Sequence, residues 1–298
     1  MSVTAQNVAL QEADFPGLYQ AADSASLRGQ RHFMRAVKWR LLSVLLAAAF
    51  GLLTTYSHYY AIASALAFLS ALLIELYILK EKPERVWYDG RALAESAKSL
   101  TWRYAVGAAP YQIGSATEDA AERFRQQIRE LLRDAPQTGI TATDAPVVSK
   151  AVRRLRSSPL CERRRAYLQG RIIDQQCWYA KKAEFNRIRA LRWRLVLLGV
   201  ELAGFLAAMI HVSQVINIDL AGVAAALIGA GAAWLTTKQH ESLAHAYSFT
   251  SNELSIIRDR LEGMDHEDED LWSTEIGDAE EAISREHTMW RASRSSVR

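Results

Sequence analysis

Residues 41–79 read LLSVLLAAAFGLLTTYSHYYAIASALAFLSALLIELYIL and contain one carboxylate, Glu75, with no Lys or Arg. A helix crosses the hydrocarbon core of a bilayer with about 20 apolar residues, so this stretch is too long for one span and matches two. Its midpoint, Thr54 to Tyr60, is polar, uncharged and aromatic, the kind of residue that suits a turn at a membrane–water interface. The pattern predicts a hairpin, with helices from Leu41 to about Tyr56 and from about Ala61 to Leu79. Residues 195–237 are nearly as free of charge and read the same way: Leu195 to about His211, a turn through Ser213 to Asp219, and a return from Leu220 to Thr237. The competing reading is a pair of helices buried in a soluble core, kept open by Glu75, Glu201 and the polar turns. Buried soluble helices rarely run this long without charge.

The average composition hides this segregation. The chain has 298 residues, a formal net charge of +3, 50% apolar residues and 23% charged ones. Concentrating the charge outside two apolar stretches excludes an evenly polar soluble domain, a disordered chain and a secreted disulfide scaffold. Cys161 and Cys177 cannot build a disulfide framework, and their basic surroundings place them in the cytoplasm as reduced thiols. The first 40 residues lack the basic, apolar and small-residue order of a signal peptide.

Topology follows from Lys and Arg. Arg28, Arg31, Arg35, Lys38 and Arg40 precede the first hairpin, and Lys80, Lys82 and Arg85 follow it. Six more, from Lys181 to Arg194, precede the second, and Lys238 follows it, whereas neither tip carries any. The positive-inside bias then puts both termini in the cytoplasm of a multi-pass inner-membrane protein. The expected organisation is a cytoplasmic N-terminal helix (1–40), the first hairpin (41–79), a cytoplasmic helical region (80–194), the second hairpin (195–237) and cytoplasmic C-terminal helices (238–298).

The lead-ins to the hairpins match each other. Arg35-Ala36-Val37-Lys38-Trp39-Arg40-Leu41-Leu42 and Arg189-Ala190-Leu191-Arg192-Trp193-Arg194-Leu195-Val196 share five of eight positions, with conservative changes at the other three. Basic and aromatic residues belong at any cytoplasmic boundary, but ordered identity points to duplication. Trp39, Arg40, Trp193 and Arg194 are the membrane-boundary residues. Equal topology of the two copies makes this a parallel repeat about the membrane normal.

The polar regions read as helices throughout, without strand alternation. Residues 84–105 are expected to extend the second span, ending at Gly107 to Pro110. Thr117 is a plausible N-cap for a helix to Arg133. A long helix from Cys161 runs into the third span, another continues the fourth to about Leu261, and a last one covers Thr274 to Ala292. The fold class is all-α, with four transmembrane helices as two hairpins running into a helical cytoplasmic domain. Lys150 to Arg194 holds 14 Lys and Arg against 3 acids, and Arg260 to Arg298 holds 11 acids against 5 Arg. Either these segments pack together, or Arg163, Arg164 and Arg165 contact an anionic lipid or nucleotide. No nucleic-acid module surrounds the basic run, so no nucleic-acid partner is expected.

Little points to catalysis. There is no phosphate-binding Gly loop with Lys-Ser/Thr. His240, Glu241 and His245 are spaced one residue too far apart for a zinc-protease motif. No enzyme activity, cofactor or metal is expected. The intramembrane carboxylates say more, because such groups are costly and face a partner, a bundle interior or water. In an oligomer, Glu75 and Glu201 can form cation-selecting rings; the plainer reading pairs Glu75 with Lys80 or Lys82. Small-residue pairs, Gly199/Ala203, Gly204/Ala208, Gly222/Ala226 and Ala225/Gly229, allow close helix contact.

Trp87-Tyr88-Asp89-Gly90-Arg91-Ala92-Leu93-Ala94-Glu95-Ser96-Ala97-Lys98, followed by Thr101-Trp102-Arg103-Tyr104 and Pro110-Tyr111, resembles the post-membrane segment of the SLATT family. The tail from Ile283 to Ala292 resembles that family's terminal segment. The likeness spans about residues 20–111 and 165–292, as two hairpin domains in tandem. It implies a prokaryotic membrane effector of conflict systems that forms pores or disrupts the membrane when a cytoplasmic sensor, often a nucleotide-signalling enzyme, is triggered. The expected function is therefore an oligomeric anti-phage effector that forms or gates an ion-conducting pore. The expected partners are the bilayer, further copies of the chain, and a cytoplasmic sensor or nucleotide second messenger. The alternatives are a membrane-anchored scaffold or adaptor, and a small-ion transporter.

Overall fold

The computed structural model describes residues 10–114, 117–133, 135, 140–141, 143–212, 220–264 and 268–295. Its regular elements are helices: α1 (Gly17–Leu52), α2 (His58–Glu81), α3 (Pro83–Val106), α4 (Thr117–Arg133), α5 (Lys150–Arg156), α6 (Leu160–Tyr167), α7 (Asp174–Val212), α8 (Leu220–Lys238), α9 (His240–Glu262) and α10 (Glu269–Ser295). There is no strand among the described residues. Proline shapes this pattern by lacking an N–H and fixing its φ. Pro16 lies just before α1, Pro83 opens α3 and Pro159 caps α6, so the long helices run between prolines rather than through them. The turn expected at Ser213 to Asp219 lies outside the described residues, as do the side chains of Thr117 and of most of the Ile283–Ala292 tail.

The chain divides into two compact units, Met1–Gln30 with Glu84–Trp178 and Thr250–Arg298, and Arg31–Pro83 with Tyr179–Phe249. The second unit holds the apolar hairpins. In the first of these, Ser43 and Ser70 share a hydrogen bond of 3.2 Å, Ser64 Oγ donates to the Ala47 carbonyl at 2.9 Å, and the Phe50 and Tyr60 rings stack at 6.5 Å. These pairs run in opposite chain directions, so α1 and α2 are antiparallel neighbours. The turn between them comes earlier than the sequence implies: α1 ends at Leu52 rather than near Tyr56, Ser57 caps α2, accepting from the Tyr59 N–H, and His58 to Tyr60 are already helical. In the second hairpin, a Cβ on Gly204 would meet Ala224 at 2.8 Å and one on Gly231 would meet Leu197 at 2.5 Å, so α7 and α8 are in close contact there. Ala36, Val37 and Ile78 form a small core with Trp234 of α8 packed on it.

Among the described residues, three helices are long and apolar enough to span a bilayer, within His58–Val106, Leu160–Val212 and Leu220–Glu262. This is a multi-pass membrane protein. α1 falls outside that set because its apolar part stops at Leu52 and Arg35, Lys38 and Arg40 lie just before it.

Two expected continuous helices are broken. α2 does not run on into α3: Lys82 takes a left-handed conformation with φ 44°. Pro83 explains this, since its ring disfavours α geometry in the residue before it while suiting the first position of a new helix. α8 ends in the same way at Gln239, with φ 51°. Each hairpin is thus followed by one left-handed residue and a new helix. The path from α6 into α7 is continuous, but residues Leu168–Ile173 form a π-helical segment that the sequence did not announce.

The other unit is built on aromatics. Trp102 sits edge-on to Tyr167 at 5.7 Å and contacts Phe15 at 6.3 Å, and Tyr167 sits edge-on to Trp272 at 6.0 Å. Thr101, Trp102, Tyr104 and Tyr111 are all buried. Gly90 lets α3 approach the first turns of α1, because an added Cβ would lie 2.9 Å from the Ala22 carbonyl oxygen and the Ser26 nitrogen. The two cysteines are free and exposed.

Candidate functional site

The membrane hairpins place their ionisable groups unequally. Glu75 is paired with Arg40 of α1 across the hairpin. The lysines close to it in sequence, Lys80 and Lys82, are not its partners, because the antiparallel helix brings an arginine 35 residues away against it. Arg194 pairs in the same manner with Glu241, on the helix that follows α8. Both arginines are the second member of the repeated Trp-Arg pair. Trp39 is exposed and Trp193 half-exposed.

Glu201 is different. It is exposed on α7 and takes part in no ion pair among the described residues. Leu198 and Phe205, one turn before and after it on the same side of the helix, and the adjacent Leu202 are exposed by 59–62%. A carboxylate therefore emerges on an outward apolar face. In hydrocarbon such a group calls for a partner or water. The small residues also divide into used and unused sets: Gly204 and Gly231 contact the neighbouring helix, while a Cβ on Gly199 or Gly229 would meet nothing within 4 Å.

The basic run of the polar unit points inwards. Arg163, 2% exposed, donates to the Val106 carbonyl at 2.7 Å and the Ser158 carbonyl at 3.0 Å and pairs with Glu269. Arg164 donates to the carbonyls of Leu261, Glu262 and Met264. Arg156 donates to those of Tyr104, Tyr111 and Gln112. These guanidinium groups satisfy the carbonyls left open at the C-terminal ends of α3 and α9, where a positive charge is also favoured by the helix dipole. Of the three arginines read as an anion contact, only Arg165 is exposed.

Deepest in this unit lies an ion pair. Arg171, on the π-helical segment, is 1% exposed and grips Glu280, 0% exposed, with Nε and Nη2 at 2.9 Å each. Nη2 also donates to Ser99 Oγ at 3.0 Å, and Tyr167 Oη donates to Glu280 at 2.9 Å. Burial works to lower the Arg171 pKa, but the Glu280 carboxylate outweighs it and the net shift is upward. Tyr167 is pushed well above its ordinary range by burial and by Glu280. Lys98 is shifted down, by burial first and by Arg171 next. Local spacing does not reveal this network, since its members lie up to 113 residues apart. No group of His, Cys, Asp and Glu suited to a metal ion occurs among the described residues.

The family model for SMODS and SLOG-associating 2TM effector domain 3 matches residues 16–164, and that for domain 1 of the same series matches residues 167–290. The chain belongs to the SLATT family. It carries two SLATT domains in tandem, each with one hairpin, and SLATT domains are two-transmembrane effector domains associated with SMODS and SLOG defence systems. No curated protein and no solved structure matches the chain. Within the polar unit the two SLATT domains share one core: Arg163 of the first holds Glu269 of the second, and Arg171 of the second reaches Ser99 of the first.

Proposed function

We propose that this SLATT protein is an oligomeric effector of the prokaryotic inner membrane that forms or gates an ion-conducting pore on a cytoplasmic signal, as a defence against phage. It works without enzymatic chemistry. All four apolar segments cross the bilayer with both termini in the cytoplasm. α1 counts as a span because it lies antiparallel beside α2, and Arg35 and Arg40 fall against the last turns of α2, within reach of the headgroups by snorkelling. The trigger is a sensor protein or a nucleotide second messenger acting on the cytoplasmic helices.

The observation that carries this reading is Glu201, an unpaired carboxylate on an outward apolar face of a spanning helix. Further copies supply the surroundings such a group needs, and a ring of Glu201 side chains favours cations. Glu75 serves differently: its charge is engaged by Arg40 within one chain, so it holds the hairpin together.

The test is membrane potential in bacteria expressing the chain from a tightly controlled promoter. Wild type depolarises the cells, Glu201→Gln inserts and oligomerises without doing so, and Glu75→Gln retains depolarisation wherever it inserts. Equal depolarisation by wild type and Glu201→Gln removes Glu201 from the pore. A reconstituted oligomer that stays silent with every candidate trigger favours the scaffold reading.

A further inference from the structure

The first hairpin carries a groove of about 570 Å³, lined on one side by His32, Arg35 and Trp39 of α1 and on the other by Leu66, Leu69 and Leu73 of α2. Its two ends differ in chemistry. The leucines are large, apolar and 48–60% exposed. The opposite end holds a cation, an imidazole and a phenol: His32 Nδ1 lies 3.4 Å from Tyr77 Oη, and Tyr77 also lines the groove.

Arg35 is exposed and takes part in no ion pair among the described residues. Other arginines of the repeated lead-ins are engaged. Arg40 holds Glu75, and Arg189, which occupies the place of Arg35 in the second lead-in, lies over the Phe185 ring at 5.2 Å. Along α1, Arg35 precedes Leu41 by about 9 Å at the helical rise of 1.5 Å per residue. That puts its long, flexible side chain within reach of the headgroup layer, about 5–8 Å deep on each face of a bilayer. Trp39 sits between the cation and the leucines, where amphipathic aromatics settle at an interface.

We propose that this groove is a binding site for an anionic phospholipid, whose phosphate rests on Arg35 and His32 while an acyl chain lies along Leu66, Leu69 and Leu73. The occupant follows from charge and shape together. An apolar trough ending in an unpaired cation at headgroup depth matches a molecule with a long hydrocarbon tail and a phosphate. The site does not require that the protein conduct ions, so it stands or falls apart from the pore.

The experiment is native mass spectrometry of the full chain released from membranes of equal phosphatidylglycerol and phosphatidylethanolamine content. The variants are Arg35→Gln, Arg35→Lys, Leu69→Trp to fill the trough, and Lys38→Gln, which removes a boundary charge outside the groove. All are compared at matched helical circular dichroism. Wild type retains phosphatidylglycerol in preference to phosphatidylethanolamine. Arg35→Gln lowers that retention about fivefold, the effect of one basic residue at a membrane surface, and Leu69→Trp lowers it by excluding the acyl chain. Arg35→Lys restores most of it, and Lys38→Gln leaves it unchanged. If Arg35→Gln does not fold, Leu69→Trp decides alone. The proposal is overturned by full retention in Leu69→Trp, or by a loss in Lys38→Gln as large as in Arg35→Gln. Displacement of the lipid by millimolar glycerol 3-phosphate, which would mark a soluble-phosphate site, also overturns it. So does loss of the oligomer in Arg35→Gln with lipid retained, which would mark a contact between copies.

Discussion

Arg40 is paired with Glu75 across the first hairpin, and Arg194, its counterpart in the repeated segment, is paired with Glu241 across the second. The repeat therefore extends beyond sequence likeness to a shared device, in which the arginine after the boundary tryptophan ties the outgoing helix to the segment that returns. A neutralised pair also lowers the cost of placing Arg40 beside an apolar helix, since an unpaired charge at that depth is expensive.

That coupling is measurable. Arg40→Gln and Glu75→Gln each lower the thermal stability of the detergent-solubilised chain, and the double variant loses less than their sum. The interaction is about 1 kcal/mol, as for polar pairs between membrane helices and partly exposed ion pairs. A double-mutant cycle on unfolding midpoints checks this. Strict additivity would mean that the pair contributes nothing to the hairpin.

The Arg171–Glu280 pair behaves differently because both members are buried. Glu280→Ala leaves a buried guanidinium with only the longer contact to Glu95, at 3.8 Å, and costs about 3 kcal/mol. Replacing both, as Arg171→Met with Glu280→Leu, removes charge and partner together and is milder than either single change. Thermal unfolding followed by tryptophan fluorescence reports this well, because Trp102 and Trp272 lie in the same core. A double variant worse than both singles would contradict it.

The hairpins are legible in the sequence because charge is excluded over lengths that only a bilayer or a very large core explains. The expectation that residues 84–105 extend the second span overlooks Pro83, whose ring disfavours a helical residue before it. The stop at Gln239 carries no such signal, since Thr237-Lys238-Gln239-His240 holds neither Gly nor Pro. Of the two readings of the basic run, the contacts of Arg163 and Arg164 with the acidic segment favour packing. Arginines in a polar helix read as a solvent or ligand face, but Arg163 and Arg164 spend their donors on carbonyls 57 to 100 residues away. Nothing in local spacing reveals such partners. Glu75 is the same case in the membrane: the neighbours it has in sequence are not those it has in space.

The inward direction of that run separates three adjacent arginines. Arg164→Lys loses the forked donor that reaches the α9 carbonyls, and a point charge does not replace it. The expected cost is about 1–3 kcal/mol. Arg165→Gln, on an exposed side chain, changes stability by less than about 0.5 kcal/mol. Unfolding midpoints of the two variants side by side check the contrast, and equal effects would mean that the carbonyl contacts do not hold the unit together.

Gly90 tests the close approach of α3 and α1. In Gly90→Ala the new Cβ would sit 2.9 Å from backbone atoms of Ala22 and Ser26, which cannot rotate away as a side chain does. The helices must separate, at a cost of about 1–3 kcal/mol despite alanine's better helix propensity. An increase in stability would show that the helices have slack there.

Lys98 gives the polar unit a pH dependence whose sign is fixed by its surroundings. Burial and the nearby Arg171 lower its pKa from the ordinary 10.5. Between the lowered value and 10.5 the unfolded chain binds more protons than the folded one, so this lysine makes stability rise with pH through that window. Below the window the folded state carries the full penalty of a charged, desolvated amine, and above it none. Lys98→Met therefore raises the unfolding midpoint at pH 7, by about 2 °C for a protein of this size, and the gain shrinks as pH approaches 10.5. Unfolding curves of both proteins at pH 7 and pH 10 provide the measurement. A gain that grew with pH would mean that Glu95 and Glu280, the carboxylates acting on Lys98, govern it rather than burial.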